Sequence, residues 1–229
     1  MTDLPLALVT GATRGIGAAV AHALSPTHRV LLGGRDATAL AALAEELPGS
    51  TAWPVDLTDP SALREAVGGI EELEVLVHSA GVAELGTVAE AEAQAWRTNF
   101  EVNVVAVAEL TRLLLPALRT AKGHVVLINS GAGFTARPGW GPYAASKFAL
   151  RAFADSLRAE EEGNGLRVTS VHPGRVDTEM QRVIVAGEGR DYDGSRFLRP
   201  DSVATAVVGA ITATPDAHPT ELVLRPSDR

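Results

Sequence analysis

The sequence predicts an α/β fold, a single doubly wound parallel sheet of about seven strands with helices on both faces. Three observations predict it. Short apolar runs alternate with longer segments of helical periodicity along all 229 residues, the pattern of βα units closing a parallel sheet. The first apolar run, Leu6-Ala-Leu-Val9, passes through a glycine-rich turn straight into the Ala-rich stretch Ala18 to Leu24. No repeat or long linker divides the chain, and its 46% apolar content suits one core. A single domain is therefore expected over 1–229.

In chain order, strands are expected near 5–9, 29–33, 51–55, 73–77, 123–129, 166–171 and 220–224. Helices are expected near 15–24, 37–47, 60–68, 92–118, 142–162 and 201–213. Asp36 stands just before Ala37-Thr-Ala-Leu and suits the N-cap of the second helix. Pro142, preceded by Gly141, suits the first turn of the fifth. That helix carries Phe148, Leu150, Phe153, Ala154 and Leu157, more apolar surface than one side needs to cover a sheet. Such a band marks an interface. Glu221-Leu-Val-Leu-Arg225 reads as an edge strand open to pairing. A homodimer or a homotetramer with two-fold axes is expected. Between about 178 and 200 lies Gly187-Glu-Gly189-Arg-Asp-Tyr-Asp-Gly194, polar and flexible, which reads as a lid.

Composition excludes several classes. A formal net charge of −8 disfavours broad binding to nucleic acid or an anionic membrane. With no cysteine there is neither a disulfide framework nor a thiolate metal site. The six histidines (22, 28, 78, 124, 172, 218) show no helical pair of metal-site spacing, so no metal is expected. No apolar stretch reaches the ~18 residues of a membrane span. Met1-Thr-Asp-Leu-Pro5 lacks the basic and apolar regions of a signal peptide, and a cytoplasmic location is expected.

Two motifs carry chemistry. The first is the turn Thr10-Gly11-Ala-Thr-Arg14-Gly15-Ile-Gly17 between strand and helix, the context of a dinucleotide-binding loop. Gly11 allows a tight turn, Gly15 leaves room for a pyrophosphate, and Gly17 lets the helix approach the sheet. The helix N-terminus offers unpaired N–H groups to the anion. The second is Asn129-Ser130 followed by Tyr143-Ala-Ala-Ser-Lys147. Four residues apart on a helix, Tyr143 and Lys147 share a face. A nearby ammonium favours phenolate and brings a pKa of about 10 toward a working range. The helix N-terminus beside Tyr143 acts in the same direction. A hydroxyl such as that of Ser130 holds a carbonyl against the phenol. The site is a proton-transfer site in need of a hydride donor.

Together and in this order, these motifs resemble the classical short-chain dehydrogenase/reductase family. The resemblance runs from about residue 5 to about 225. Further landmarks of that family fall in register: Asp56-Leu57 after the third strand, Ser79-Ala80-Gly81 after the fourth, Asn103 between Trp96 and Pro116, and Pro173-Gly174-x-Val176-x-Thr178 after the sixth. The resemblance implies a Rossmann-type fold, with the cofactor half at about 1–125 and the catalytic and substrate half at about 126–229. It implies a catalytic tetrad of Asn103, Ser130, Tyr143 and Lys147. Asn103 would hold a water linking Lys147 to solvent, and Lys147 would also bind the nicotinamide ribose. Cofactor contacts are implied at Gly11, Thr13, Arg14, Gly15, Ile16, Gly17, Arg35, Asp56, Leu57, Ala80, Gly81, Tyr143, Lys147, Pro173, Gly174, Val176 and Thr178, the last to the nicotinamide carboxamide. One departure is His78-Ser79 where the family usually shows Asn-Asn. It puts the bracing of that strand in doubt, and His78 reads as structural.

Charge bears on the cofactor. An acid at the end of the second strand would bind a ribose 2′-hydroxyl and repel a 2′-phosphate. Gly34 stands there, Arg35 follows, and Arg14 lies in the glycine turn. Two guanidinium groups suit a phosphate, so NADP(H) is preferred and NAD(H) possible, with Asp36 as the counter-argument. The expected activity is the interconversion of a small or medium ketone or aldehyde and its alcohol. The alternative is a non-catalytic NAD(P)-binding regulator on the same fold, which would not need the four proton-transfer residues. An epimerase of the extended branch would need a larger C-terminal domain. Met180, Val183, Phe134 and Trp140 are pocket walls or ordinary core. The lid segment lacks a basic cluster, which favours a neutral substrate over a large anionic carrier.

Overall fold

The computed structural model describes residues 4–214 and 216–227. Seven strands, β1 (Leu6–Thr10), β2 (Arg29–Gly34), β3 (Thr51–Pro54), β4 (Val75–His78), β5 (His124–Ile128), β6 (Arg167–Pro173) and β7 (Glu221–Leu224), form one sheet in the order β3-β2-β1-β4-β5-β6-β7. Every neighbouring pair is parallel. This is the expected doubly wound sheet. All of β4 and β5 is buried, as parallel strands covered on both faces must be. Their period-2 alternation splits the apolar residues between two cores. Ala7, Val9, Val75 and Val77 face one layer; Leu8, Leu76, Val125 and Leu127 face the other.

The first layer contains α1 (Gly15–Leu24), α2 (Ala37–Glu46) and α8 (Pro200–Ile211), packed through Val20, Leu40 and Val207. The second contains α3 (Pro60–Val67), α5 (Ala106–Ala121) and α6 (Gly141–Glu161), packed through Leu63, Leu114 and Leu150. Asp36 caps α2, its Oδ1 accepting from the Ala39 N–H at 3.0 Å. Spent on the cap, this carboxylate oxygen no longer argues for a ribose contact. The strand order reverses beside β1, and the crevice outside the strand C-termini opens there.

Three expectations are corrected. The single helix expected over 92–118 is α4 (Ala93–Phe100) and α5 joined by a π-helical turn, Glu101–Val105. The flexible segment after Thr178 contains a helix, α7 (Glu179–Gly187). Thr178 is its N-cap, its Oγ1 accepting from the Gln181 N–H at 3.3 Å. Thr178-x-x-Gln181 has the spacing of a capping box, a signal the reading of 178–200 as loop passed over. The third correction concerns the apolar band on α6. Leu150, Ala154 and Leu157 are buried within the subunit, Phe153 packs against the same core, and only Phe148 is exposed. Among the described residues, no helix is long and apolar enough to cross a membrane.

Candidate active site

A cleft of about 770 Å³ lies at the C-terminal ends of the strands. The turn from β1 into α1 borders it at Ile16. Gly11 has φ +66°, and a Cβ there would lie 2.8 Å from the Ala80 main-chain nitrogen. Gly17 has no room at all: a Cβ would lie 2.1 Å from the Gly11 carbonyl oxygen. Both positions demand glycine, for the turn and for the close approach of α1. Gly15 has φ +57°, and a Cβ there would lie 3.3 Å from the Thr178 methyl. The α1 N-terminus has no side-chain cap and no acid in its first turn, which leaves its first N–H groups without a side-chain partner. Thr10 Oγ1 accepts from the N–H groups of Ser79 and Ala80, both at 3.1 Å. This hydroxyl, passed over as a site residue in the sequence, braces the β4 loop whose usual Asn pair is missing.

The other expected cofactor contacts are distributed along this rim. Ile16, Gly81, Pro173, Gly174, Val176 and Thr178 line the cleft. A Cβ on Gly34 would lie 3.6 Å from Leu40 and 3.7 Å from the Thr13 methyl, ordinary contacts that leave room for a side chain there. Arg35 adjoins that position and lowers the Asp56 pKa through its charge, behind the hydrogen bonds that Asp56 accepts from Thr58 N and Oγ1. Leu57 packs against the second core. Arg14, expected to join Arg35, instead forms an exposed ion pair with Glu179 at the start of α7. The Thr178 hydroxyl, expected on a carboxamide, is engaged as the α7 cap and by the Val176 carbonyl at 3.3 Å.

Deeper in the cleft lie Ser130, Tyr143 and Lys147. Trp140, Gly141 and Pro142 start α6 so that Tyr143 falls in its first turn. Lys147 comes one turn later, with Nζ 5.8 Å from the centre of the Tyr143 ring. Burial pushes the Tyr143 phenol above its usual pKa, and the Ser130 hydroxyl opposes this by a hydrogen bond that favours phenolate. Burial pushes Lys147 down to about 8, and its Nζ donates to the Ile128 carbonyl at 3.1 Å. The expected lowering of the phenol by Lys147 does not appear: desolvation, a tertiary effect invisible in residue spacing, raises the phenol, and Ser130 alone opposes it.

Asn103 sits in the π turn, a form common at functional sites. Its Nδ2 donates to the Val82 carbonyl and to Ser146 Oγ, and its Oδ1 accepts from the Val82 N–H, all at 3.0 Å. Both amide protons are committed. Asn103 therefore ties the loop after β4 to α6, and no donor remains on its amide for a water. Ser146 completes the tie by donating to the Tyr143 carbonyl at 2.7 Å. His172, passed over among scattered histidines, holds the Ser130 carbonyl through Nδ1 at 3.1 Å and lies tilted by 44° against Phe134, ring centres 4.2 Å apart. Its place just before Pro173-Gly174 was the available signal. Phe134 thus packs beside the site rather than walling it, Trp140 and Met180 line the cleft, and Val183 is exposed. His78 is structural as expected. Its Nε2 donates to Thr111 Oγ1 at 2.9 Å, and burial drives its pKa to about 3.

Fold and cleft together define a Rossmann-type α/β protein whose crevice holds a hydroxyl, a phenol and an ammonium opposite a glycine turn. The model of the short chain dehydrogenase family matches residues 5–189, and the chain belongs to that family. Its relatives include the glycine betaine reductase ATRR of Emericella nidulans, 36% identical over 97% of this chain. The chain spans 19% of that relative's length and 62% of that of the bovine dehydrogenase/reductase SDR family member 7B. It is 35% identical to a serine 3-dehydrogenase of Rhizobium radiobacter, covering 87% of this chain and 85% of the relative. Among solved structures, an alcohol dehydrogenase of the archaeon Thermococcus sibiricus complexed with 5-hydroxy-NADP superposes with a TM-score of 0.88 at 26% identity, over 98% of this chain and 97% of the other.

Proposed function

We propose that the protein is an NADP(H)-dependent oxidoreductase that interconverts a ketone or aldehyde and its alcohol. The observation that carries this reading is a buried phenol with a serine hydroxyl at hydrogen-bonding reach and a buried ammonium one helical turn away, in a cleft that Ile16 of the glycine turn also lines. Four similar solved structures are complexes with NADP or its 5-hydroxy derivative, which supports the choice of cofactor. The residues fit it. The uncapped α1 N-terminus suits the pyrophosphate. The space left by Gly34 beside Arg35 suits a 2′-phosphate. NADP(H), when bound, supplies or accepts the hydride.

The chain's own residues handle the proton. Ser130 donates to the carbonyl oxygen of the substrate and fixes its position. Tyr143 gives that oxygen a proton in reduction and removes it in oxidation. Because burial keeps the phenol protonated at neutral pH, the resting site is poised as an acid, toward reduction. Lys147 stabilises the phenolate formed in that step. Asn103, Ser146 and His172 hold these groups in place through the main chain of 82, 143 and 130.

The test is a panel of carbonyl compounds and alcohols with both nicotinamide cofactors, read by absorbance. Turnover with NADPH that is lost in Tyr143→Phe is the expected result. A protein that binds NADPH yet turns over nothing on the panel would instead be a cofactor-binding regulator.

A further inference from the structure

The cleft is far more positive than the chain around it. Its walls carry Arg137, Lys147, Arg175, Arg190, Arg196 and Arg225, against the carboxylates Asp191 and Asp193, in a protein of formal net charge −8. Glu188, a neighbour of this wall, engages Arg190 and one nitrogen of Arg175.

Among these groups Arg225 and Arg175, set beside Gly131 and Trp140, keep unused donors. Arg225 follows β7 and lies against Gly131, the residue after Ser130. A Cβ on Gly131 would be 3.2 Å from its Nη1 and 3.3 Å from its Nη2. Nη1 donates to the carbonyls of His172 at 3.3 Å and Leu224 at 3.2 Å. Nε and Nη2 have no acceptor, and no carboxylate pairs with Arg225 among the described residues. Arg175 stands on the adjoining wall, its guanidinium 6.0 Å from the centre of the Trp140 ring, which in turn lies 6.0 Å from that of Tyr143. Its Nη1 is buried without any partner. A buried cationic N–H with no acceptor, as at Arg175, is costly, and the free Nε and Nη2 of the exposed Arg225 are open to an oxyanion in the cleft.

These groups sit on the Ser130 and Tyr143 side, away from the α1 N-terminus and Arg35. Resting on the oxidoreductase reading above, we propose that the substrate is a short oxo or hydroxy acid whose carboxylate is held by Arg225, with Arg175 adding a second cation beside it. The free Nε–Nη2 edge of Arg225 is a planar fork that matches the two oxygens of a carboxylate. This replaces the neutral substrate expected from the sequence. No basic cluster was visible there because the arginines come from segments on either side of α6, from the α7–α8 connection and from the end of β7.

Binding is measured first, by calorimetry on the NADPH-loaded protein with butanoate and butanamide. Butanoate is expected to bind about 10-fold or more tightly than the amide. Arg225→Gln removes the difference, and Arg225→Lys restores part of it. Equal binding of acid and amide by the native protein, or an acid preference that survives in Arg225→Gln, overturns the proposal, as does displacement of butanoate by a far more tightly bound methyl phosphate. Retention of the NADPH-induced rise in Tm shows that each variant is folded, and the native comparison decides even if one is not. Turnover is measured second, as the ratio of kcat/KM for 3-oxobutanoate to that for its methyl ester. The ratio is expected to fall about 10- to 100-fold in Arg225→Gln. Selective butanoate binding with no turnover of any carbonyl would leave this subsite standing and defeat the oxidoreductase reading. Turnover with no preference for the acid would do the reverse.

Discussion

A phenol deprived of water holds its proton, and at Tyr143 only the Ser130 hydroxyl works against that. Tyr143→Phe keeps the ring packing and removes only the hydroxyl. Its turnover is expected to fall about 10²- to 10⁴-fold while NADPH titrations are unchanged; a variant retaining more than about a tenth of native activity would contradict the role. Lys147 gives a pH prediction. Below about 8 it is an ammonium, above it an amine. The kcat/KM for reduction should therefore decline along a limb near pH 8, and that limb should vanish in Lys147→Met. The same shift has a stability counterpart. The unfolded lysine keeps its ordinary 10.5, so between about 8 and 10.5 the unfolded chain binds more protons. The contribution of Lys147 to stability therefore rises with pH across that window. The identities of these residues were legible because their spacing is local. The direction of the phenol's shift was not, because burial is created by elements far apart in the chain.

At the scale of elements, the βα alternation was readable because each strand is a short apolar run bounded by turn residues. The π turn was not, since nothing in Glu101-Val-Asn-Val-Val105 departs from helical periodicity. It becomes intelligible only with the loop 81–82 and Ser146 in place around Asn103. Helix α7 was overlooked for a different reason: its apolar residues cluster at 183–186, of which only Ile184 and Val185 are buried, and glycines and acids follow them. Its start depends on one hydroxyl. Thr178→Val is expected to weaken the protein by about 1 kcal/mol and to speed amide exchange across 179–187; unchanged exchange there would show that the cap is dispensable. The β2–α2 turn carries the second prediction. Arg35→Asp should weaken NADPH at least about tenfold relative to NADH, measured by fluorescence titration, and equal NADPH affinity in variant and native protein would remove Arg35 from the phosphate site.

For the whole molecule, most of the apolar surface expected at an interface is consumed inside the subunit, yet Val105 and Phe148 remain exposed at 49% and 42% on two elements that pack together, and Val223 on the edge strand β7 at 53%. A two-fold assembly is still proposed. Light scattering should give a multiple of 23.8 kDa, and Phe148→Glu should lower it; a monomer mass at all concentrations would end the idea. The strand order has a further consequence, in time rather than space. β1 joins β2 through residues as near as Leu6 and Arg29, but joins β4 only when Ala7 meets Val75. The floor that holds Ser130 must then wait for β5 and β6. Distant closures cost more chain entropy and come later. In pulsed amide labelling during refolding, β1 and β2 are expected to gain protection first and the start of α6 last. The chain would then acquire a surface for the dinucleotide before it acquires the means to use one.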